Sequence, residues 1–115
     1  MAKVGTTRFF SKKQENSIAK SLTNAKCTSS SGATPFSKGD ILTDKFIIEA
    51  KTKMTSSNSI SIKKEWFSTL NQEMIGMNKY YSAIAFNFGP KEPIHYIIDS
   101  TLFKLLIDKL EEEEP

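Results

Sequence analysis

The sequence predicts an α/β domain, a small mixed sheet flanked by helices. Three observations carry that prediction. The length of 115 residues suits one domain and leaves little room for a second. Apolar runs with strand character recur around residues 45–53, 80–88 and 94–98. Between and around them lie stretches with helical spacing, giving the order α-β-β-α-β-β-α.

Residues 1–10 read as a flexible basic arm. Ser11 suits the N-cap of a helix running to about Asn24, with Gln14 at the third helical position as in a capping box. Ile18, Ala19 and Leu22 line one face of that helix. Residues 27–38 form a loop of small polar residues rich in hydroxyls. Two strands follow, about 39–43 and 45–53, with Asp44 and Lys45 in the turn between them. The second is apolar on both faces until Glu49, as expected of a strand covered on both sides. A Ser-rich loop occupies 54–61. The second helix, about 62–77, places Trp66, Leu70, Met74 and Met77 at helical spacing, as core or as a partner-facing stripe. Strands at 80–88 and 94–98 flank a Gly-Pro turn. Ser100 suits the cap of a last helix to about Leu110, and 111–115 is an acidic tail.

The composition excludes several classes. The single Cys27 rules out an internal disulfide, and with one His in the chain a Cys/His zinc site within one chain is excluded as well. His95 is read as structural. No apolar run reaches transmembrane length and no signal-peptide core is visible, so a soluble cytoplasmic protein with no membrane partner is expected. The net charge of +3 understates the basicity. Four glutamates close the chain at 111–114, and elsewhere 16 basic residues face 9 acidic ones, a balance of +7. The first thirty residues hold Lys3, Arg8, Lys12, Lys13, Lys20 and Lys26 against Glu15 alone. A basic body of this kind favours a polyanion.

The chemistry concentrates in the segment from Gly39 to Lys51. A strand pair with a tight turn brings Asp40 close to Glu49 and Lys51, and the two-residue spacing puts Glu49 and Lys51 on one strand face. Carboxylates beside an ammonium match the needs of metal-dependent phosphodiester hydrolysis. Mg²⁺ takes oxygen ligands, and Asp40, Glu49 and the backbone carbonyl of Ala50 offer them; Lys51 offsets charge and orients water. Glu15 is the third candidate carboxylate. It shares the apolar stripe of the first helix, where an isolated charge costs several kcal/mol unless partnered. Its alternative role is a first-turn acid favoured by the helix dipole at roughly 0.3–1 kcal/mol. Asp40 alternatively reads as a strand-end acid, and Glu49 and Lys51 as an ion pair. Lys53 continues the same face as a solvated or phosphate-facing lysine. Lys63 and Lys64 oppose the dipole at the start of the second helix, which a phosphate would relieve.

Glu15 on a first helix, then Gly39-Asp40-Ile41, then Phe46-Ile47-Ile48-Glu49-Ala50-Lys51 together resemble the PD-(D/E)XK nuclease superfamily. The basic first helix, the Ser/Gly/Thr/Pro loop before Asp40 and the Lys-rich start of the second helix look like the archaeal-type Holliday junction resolvases and their bacteriophage relatives. The resemblance spans roughly residues 8–98, with Gly39 where the name-giving proline would stand. It implies a restriction-endonuclease-like core over residues 11–110 and a homodimer that resolves four-way DNA junctions by paired nicks. It implies Mg²⁺ or Mn²⁺ and no small-molecule organic cofactor. The resemblance makes Glu15, Asp40 and Glu49 metal ligands, Lys51 the catalytic lysine, Ser31 and Gly32 the family's Ser-Gly loop, and Arg8 a phosphate-facing residue. Lys12, Lys13, Lys53, Lys63 and Lys64 complete the expected DNA contacts. Two rivals share these residues: a nicking or restriction-like endonuclease acting on duplex or flap DNA, and a DNA-binding accessory protein that keeps the fold without activity.

Overall fold

The computed structural model describes residues 7–27, 40–51, 53 and 55–112, with side chains from residue 14 onward. The elements are α1 (Thr7–Ser21), β1 (Lys26–Cys27), β2 (Ile41–Leu42), β3 (Phe46–Lys51), α2 (Lys64–Gly76), β4 (Tyr81–Phe86), β5 (His95–Ile97) and α3 (Ser100–Glu112). The α/β expectation holds. The order gains one strand, because Lys26 and Cys27, which follow the expected helix end near Asn24 and open the expected loop, pair with β2.

The five strands form one mixed sheet in the order β1-β2-β3-β4-β5. Only β3 and β4 are parallel; the other pairs are antiparallel. The parallel pair needs a crossover, and α2 is the helix in it. A tight turn joins β2 to β3. There the Thr43 amide donates to the Phe46 carbonyl, and the Phe46 amide donates to the Thr43 hydroxyl, each at 3.0 Å. Lys79 fastens this turn from outside, donating to the Thr43 carbonyl at 2.7 Å.

Strand alternation splits the core in two. Ile41, Ile48, Ala83 and Ala85 face α1 and pack with Ile18. Ile47 and Ile84 face α2 and pack with Leu70, flanked by Leu42, Trp66 and Met74. Ile18, Ile41, Ile47 and Ile84 are almost wholly buried, each stabilising the fold by about 1.5–3 kcal/mol. The expectation that β3 is covered on both faces up to Glu49 is met by buried Ile47 and Ile48.

Several boundaries differ from expectation. The first helix starts at Thr7, so residues 7–10, assigned to the arm, are helical and Ser11 is inside the helix rather than its cap. It ends at Ser21, and Asn24 adopts a left-handed φ of 58°. The second helix ends at Gly76, and Asn78 (φ 56°) supplies the left-handed residue that turns the chain toward β4. Asp99, not Ser100, caps α3: its Oδ1 accepts from the Leu102 amide at 2.8 Å. α3 continues into the expected tail as far as Glu112.

Candidate metal centre

The strand register builds the site. Ile41 lies opposite Ile48 and Leu42 opposite Ile47. One further step along both strands sets Asp40 opposite Glu49. Leu42 packs on the α2 side of the sheet, so Asp40, two residues before it, falls on that side too. Glu49 and Lys51 share the side through their spacing from Ile47. Helix α2 covers this face and contributes Glu73, one position before the core residue Met74.

The result is a group of three carboxylates. Asp40, Glu49 and Glu73 each present an oxygen within 4.8 Å of the others. Asp40 is the most buried of them, at 2% exposure, and its Oδ2 has no hydrogen-bond partner among the described residues. Beside the group, the Lys51 Nζ lies 2.5 Å from Glu49 Oε2 and 4.6 Å from the centre of the Trp66 ring. The lysine lies between an anion and an aromatic face, an ion pair on one side and a cation–π contact on the other.

The electrostatics of the group are strained without a cation. The Asp40 carboxyl is pushed up from 3.8 to about 7, first by loss of hydration on burial and then by the charges of Glu73, Glu49 and Glu15, with Lys51 pulling the other way. Like charges this close do not all ionise comfortably. A divalent cation among them reverses the balance. The donors are all carboxylate oxygens, the ligand type that suits Mg²⁺, Mn²⁺ or Ca²⁺. The unpartnered buried Oδ2 of Asp40 and the convergence of the other two acids fit such an ion. Asp40, Glu49 and Glu73 therefore form a group able to hold a metal ion.

Glu15 is buried at 8% exposure on α1, three residues before Ile18. It stands outside the group of three and acts on Asp40 through its charge. The third converging carboxylate is thus Glu73, which the sequence reading passed over. A signal for it existed. Glu73 is three residues after Leu70 and seven after Trp66, so it shares the helix stripe that faces the sheet.

The other expected site residues are dispersed. Ala50 points its side chain into the α1-side core and lies opposite Ala85 on β4. Lys53 donates its backbone amide to Asn87 Oδ1 at 3.4 Å. Lys63 takes the N-cap position of α2 without a side-chain cap bond, and Lys64 opens the helix; both are exposed. Arg8, Lys12 and Lys13 lie on α1. Ser31, Gly32 and Gly39 lie outside the described residues. His95 stacks on Phe86 with ring centres 5.4 Å apart. Next to Lys51 an open groove of about 380 Å³ is lined by Ala50, Lys51, Lys53, Ile60, Ser61 and Trp66.

No protein-family model, curated protein or solved structure matches this chain. Among the described residues no helix is long and apolar enough to cross a membrane.

Proposed function

We propose that this chain is a metal-dependent DNA endonuclease of the PD-(D/E)XK type, resolving four-way junctions by paired nicks as a homodimer. The observation that carries the reading is the meeting of Asp40, Glu49 and Glu73 on one sheet face with Lys51 beside them. Three carboxylates and a lysine at a strand end are the donor set that phosphodiester hydrolysis calls for.

A bound Mg²⁺ or Mn²⁺ would supply charge neutralisation at the phosphoryl oxygens and a more acidic water. The chain's own residues do the rest. Asp40, Glu49 and Glu73 would hold the ion; Glu15 adds negative potential behind Asp40. Lys51, steadied by Trp66, brings a fixed positive charge to the reacting phosphate and a donor to the attacking water. Lys53, Lys63 and Lys64 extend the basic surface beyond it, and Arg8, Lys12 and Lys13 add positive charge on α1. Such contacts position the DNA backbone without reading its sequence.

The homodimer is supported by α3. Leu102 is its buried residue, whereas Phe103, Leu106, Ile107 and Leu110 form an exposed stripe at helical spacing. Antiparallel pairing of two such helices covers both stripes. It also brings Glu111 and Glu112 of one copy toward Lys104 and the positive end of the other helix.

The test is cleavage of a synthetic four-way junction in Mg²⁺, with linear duplex and flap DNA at equal concentration. The reading predicts paired nicks in the junction, lost in Asp40→Asn and Glu49→Gln. Equal cutting of linear duplex would move the substrate to duplex DNA. Binding without product, unchanged by Mg²⁺ and by Glu49→Gln, would overturn the catalytic reading.

A further inference from the structure

We infer that the groove beside Lys51 is a subsite for one unpaired nucleotide of the substrate strand, its base on Trp66 and Ile60 and its phosphate on Lys51 and Lys53. This rests on the nuclease reading and deepens it, because it names the class of DNA the site selects.

Size and lining carry the argument. At about 380 Å³ the groove falls in the roughly 300–1,000 Å³ range of small-ligand sites, far below what a duplex requires. One part of its wall is apolar, from the Trp66 indole and Ile60; another is cationic, from Lys51 and Lys53; Ser61 adds a hydroxyl that can donate or accept. An aromatic wall next to ammonium groups is the pairing that binds single-stranded nucleic acid, since every base has a π-face and every phosphate a charge. In a continuous duplex the base faces are stacked on their neighbours and cannot reach such a wall. A nucleotide freed at a junction, flap or frayed end can.

The groove is also held open. Lys51 is fixed against Trp66, which places cation and ring together. The loop that carries Lys53, Ile60 and Ser61 is anchored to the end of β4. The Lys53 amide donates to Asn87, the Ser57 amide donates to the Phe88 carbonyl at 2.8 Å, and the Asn87 side chain donates to the Gly89 carbonyl at 2.6 Å. Asn87 is fully buried there. A wall fixed in advance spares the ordering cost on binding.

The chain has one tryptophan, and it lines this groove, so its fluorescence is a probe of binding there. Short oligothymidylate is titrated into the full-length protein in chelator, where no cleavage occurs. The result expected is saturable quenching, weakened by Lys53→Ala and by Ile60→Asp, with matched blunt duplex much less effective. Trp66→Leu, followed by anisotropy of a labelled oligothymidylate, is expected to weaken binding about 5- to 150-fold, the usual effect of removing a stacking ring. Because Trp66 also packs in the core, Lys53→Ala and Ile60→Asp keep the test decisive should that variant not fold. No quenching, equal quenching by duplex, or quenching matched by inorganic phosphate alone would overturn the subsite. The readings separate cleanly: junction cleavage without quenching sinks only the subsite, and quenching without cleavage sinks only the nuclease.

Discussion

Asp40→Asn is expected to make the metal-free protein more stable at alkaline pH. In the unfolded chain Asp40 releases its proton near its ordinary value of 3.8; in the folded chain it keeps the proton until about 7. Between those values the folded state binds more protons, so stability falls as pH rises through the interval. At about 1.4 kcal/mol per factor of ten, the loss reaches about 4 kcal/mol above neutrality and is nearly absent below pH 4. That is a large share of the roughly 5–15 kcal/mol holding a typical domain together. Asparagine matches the protonated carboxyl in shape and cannot ionise. Denaturant unfolding in chelator should show the variant close to wild type near pH 4 and up to about 4 kcal/mol more stable near pH 8.5. Mg²⁺ should then reverse the order. Wild type gains about 2.7 kcal/mol at a hundredfold excess over its dissociation constant, while the variant gains little. A variant less stable than wild type near pH 8.5 in chelator, or one that gains as much from Mg²⁺, would refute the reasoning.

Other substitutions divide the site's parts. Glu73→Gln should abolish the Mg²⁺-induced rise in melting temperature, whereas Glu15→Gln should preserve it and lower the Asp40 pKa, read by carboxyl NMR titration. Gly89→Ala should destabilise by about 1–3 kcal/mol in denaturant unfolding, because a Cβ there would meet the Ser56 backbone at 2.9 Å. Leu106→Asp on the exposed stripe of α3 should convert dimer to monomer by sedimentation with little change in monomer melting.

The heart of the site was legible because strands have a period of two. The spacing of Glu49 and Lys51 put both on one face, and a hairpin reading put Asp40 across from them; the pairing of Ile41 with Ile48, continued by one step, sets Asp40 opposite Glu49, and their carboxylates converge. Glu73 was missed for a different reason. A helix stripe is broad, and beside Trp66, Leu70 and Met74 a single acid reads as the stripe's edge. Which edge faces Asp40 depends on how α2 crosses the sheet, and no local pattern encodes that. Glu15 was open to two readings, a first-turn acid and an acid on the apolar face of α1; because the helix starts at Thr7 it lies beyond the first turn and is buried, but burial near Asp40 does not make it one of the converging three. β1 was missed because two residues carry no periodicity, and their pairing with β2 joins segments far apart in sequence. Asp99 and Ser100 both suit a cap; only the Leu102 amide, aimed at Asp99, decides between them.

The most direct measurement is anomalous scattering from a Mn²⁺-soaked crystal of the wild-type protein. The account predicts a metal peak at about 2.0–2.2 Å from oxygens of Asp40, Glu49 and Glu73, with Glu15 outside its coordination shell and no peak in Asp40→Asn. No peak at the three carboxylates, or an ion held elsewhere without Asp40, would contradict it.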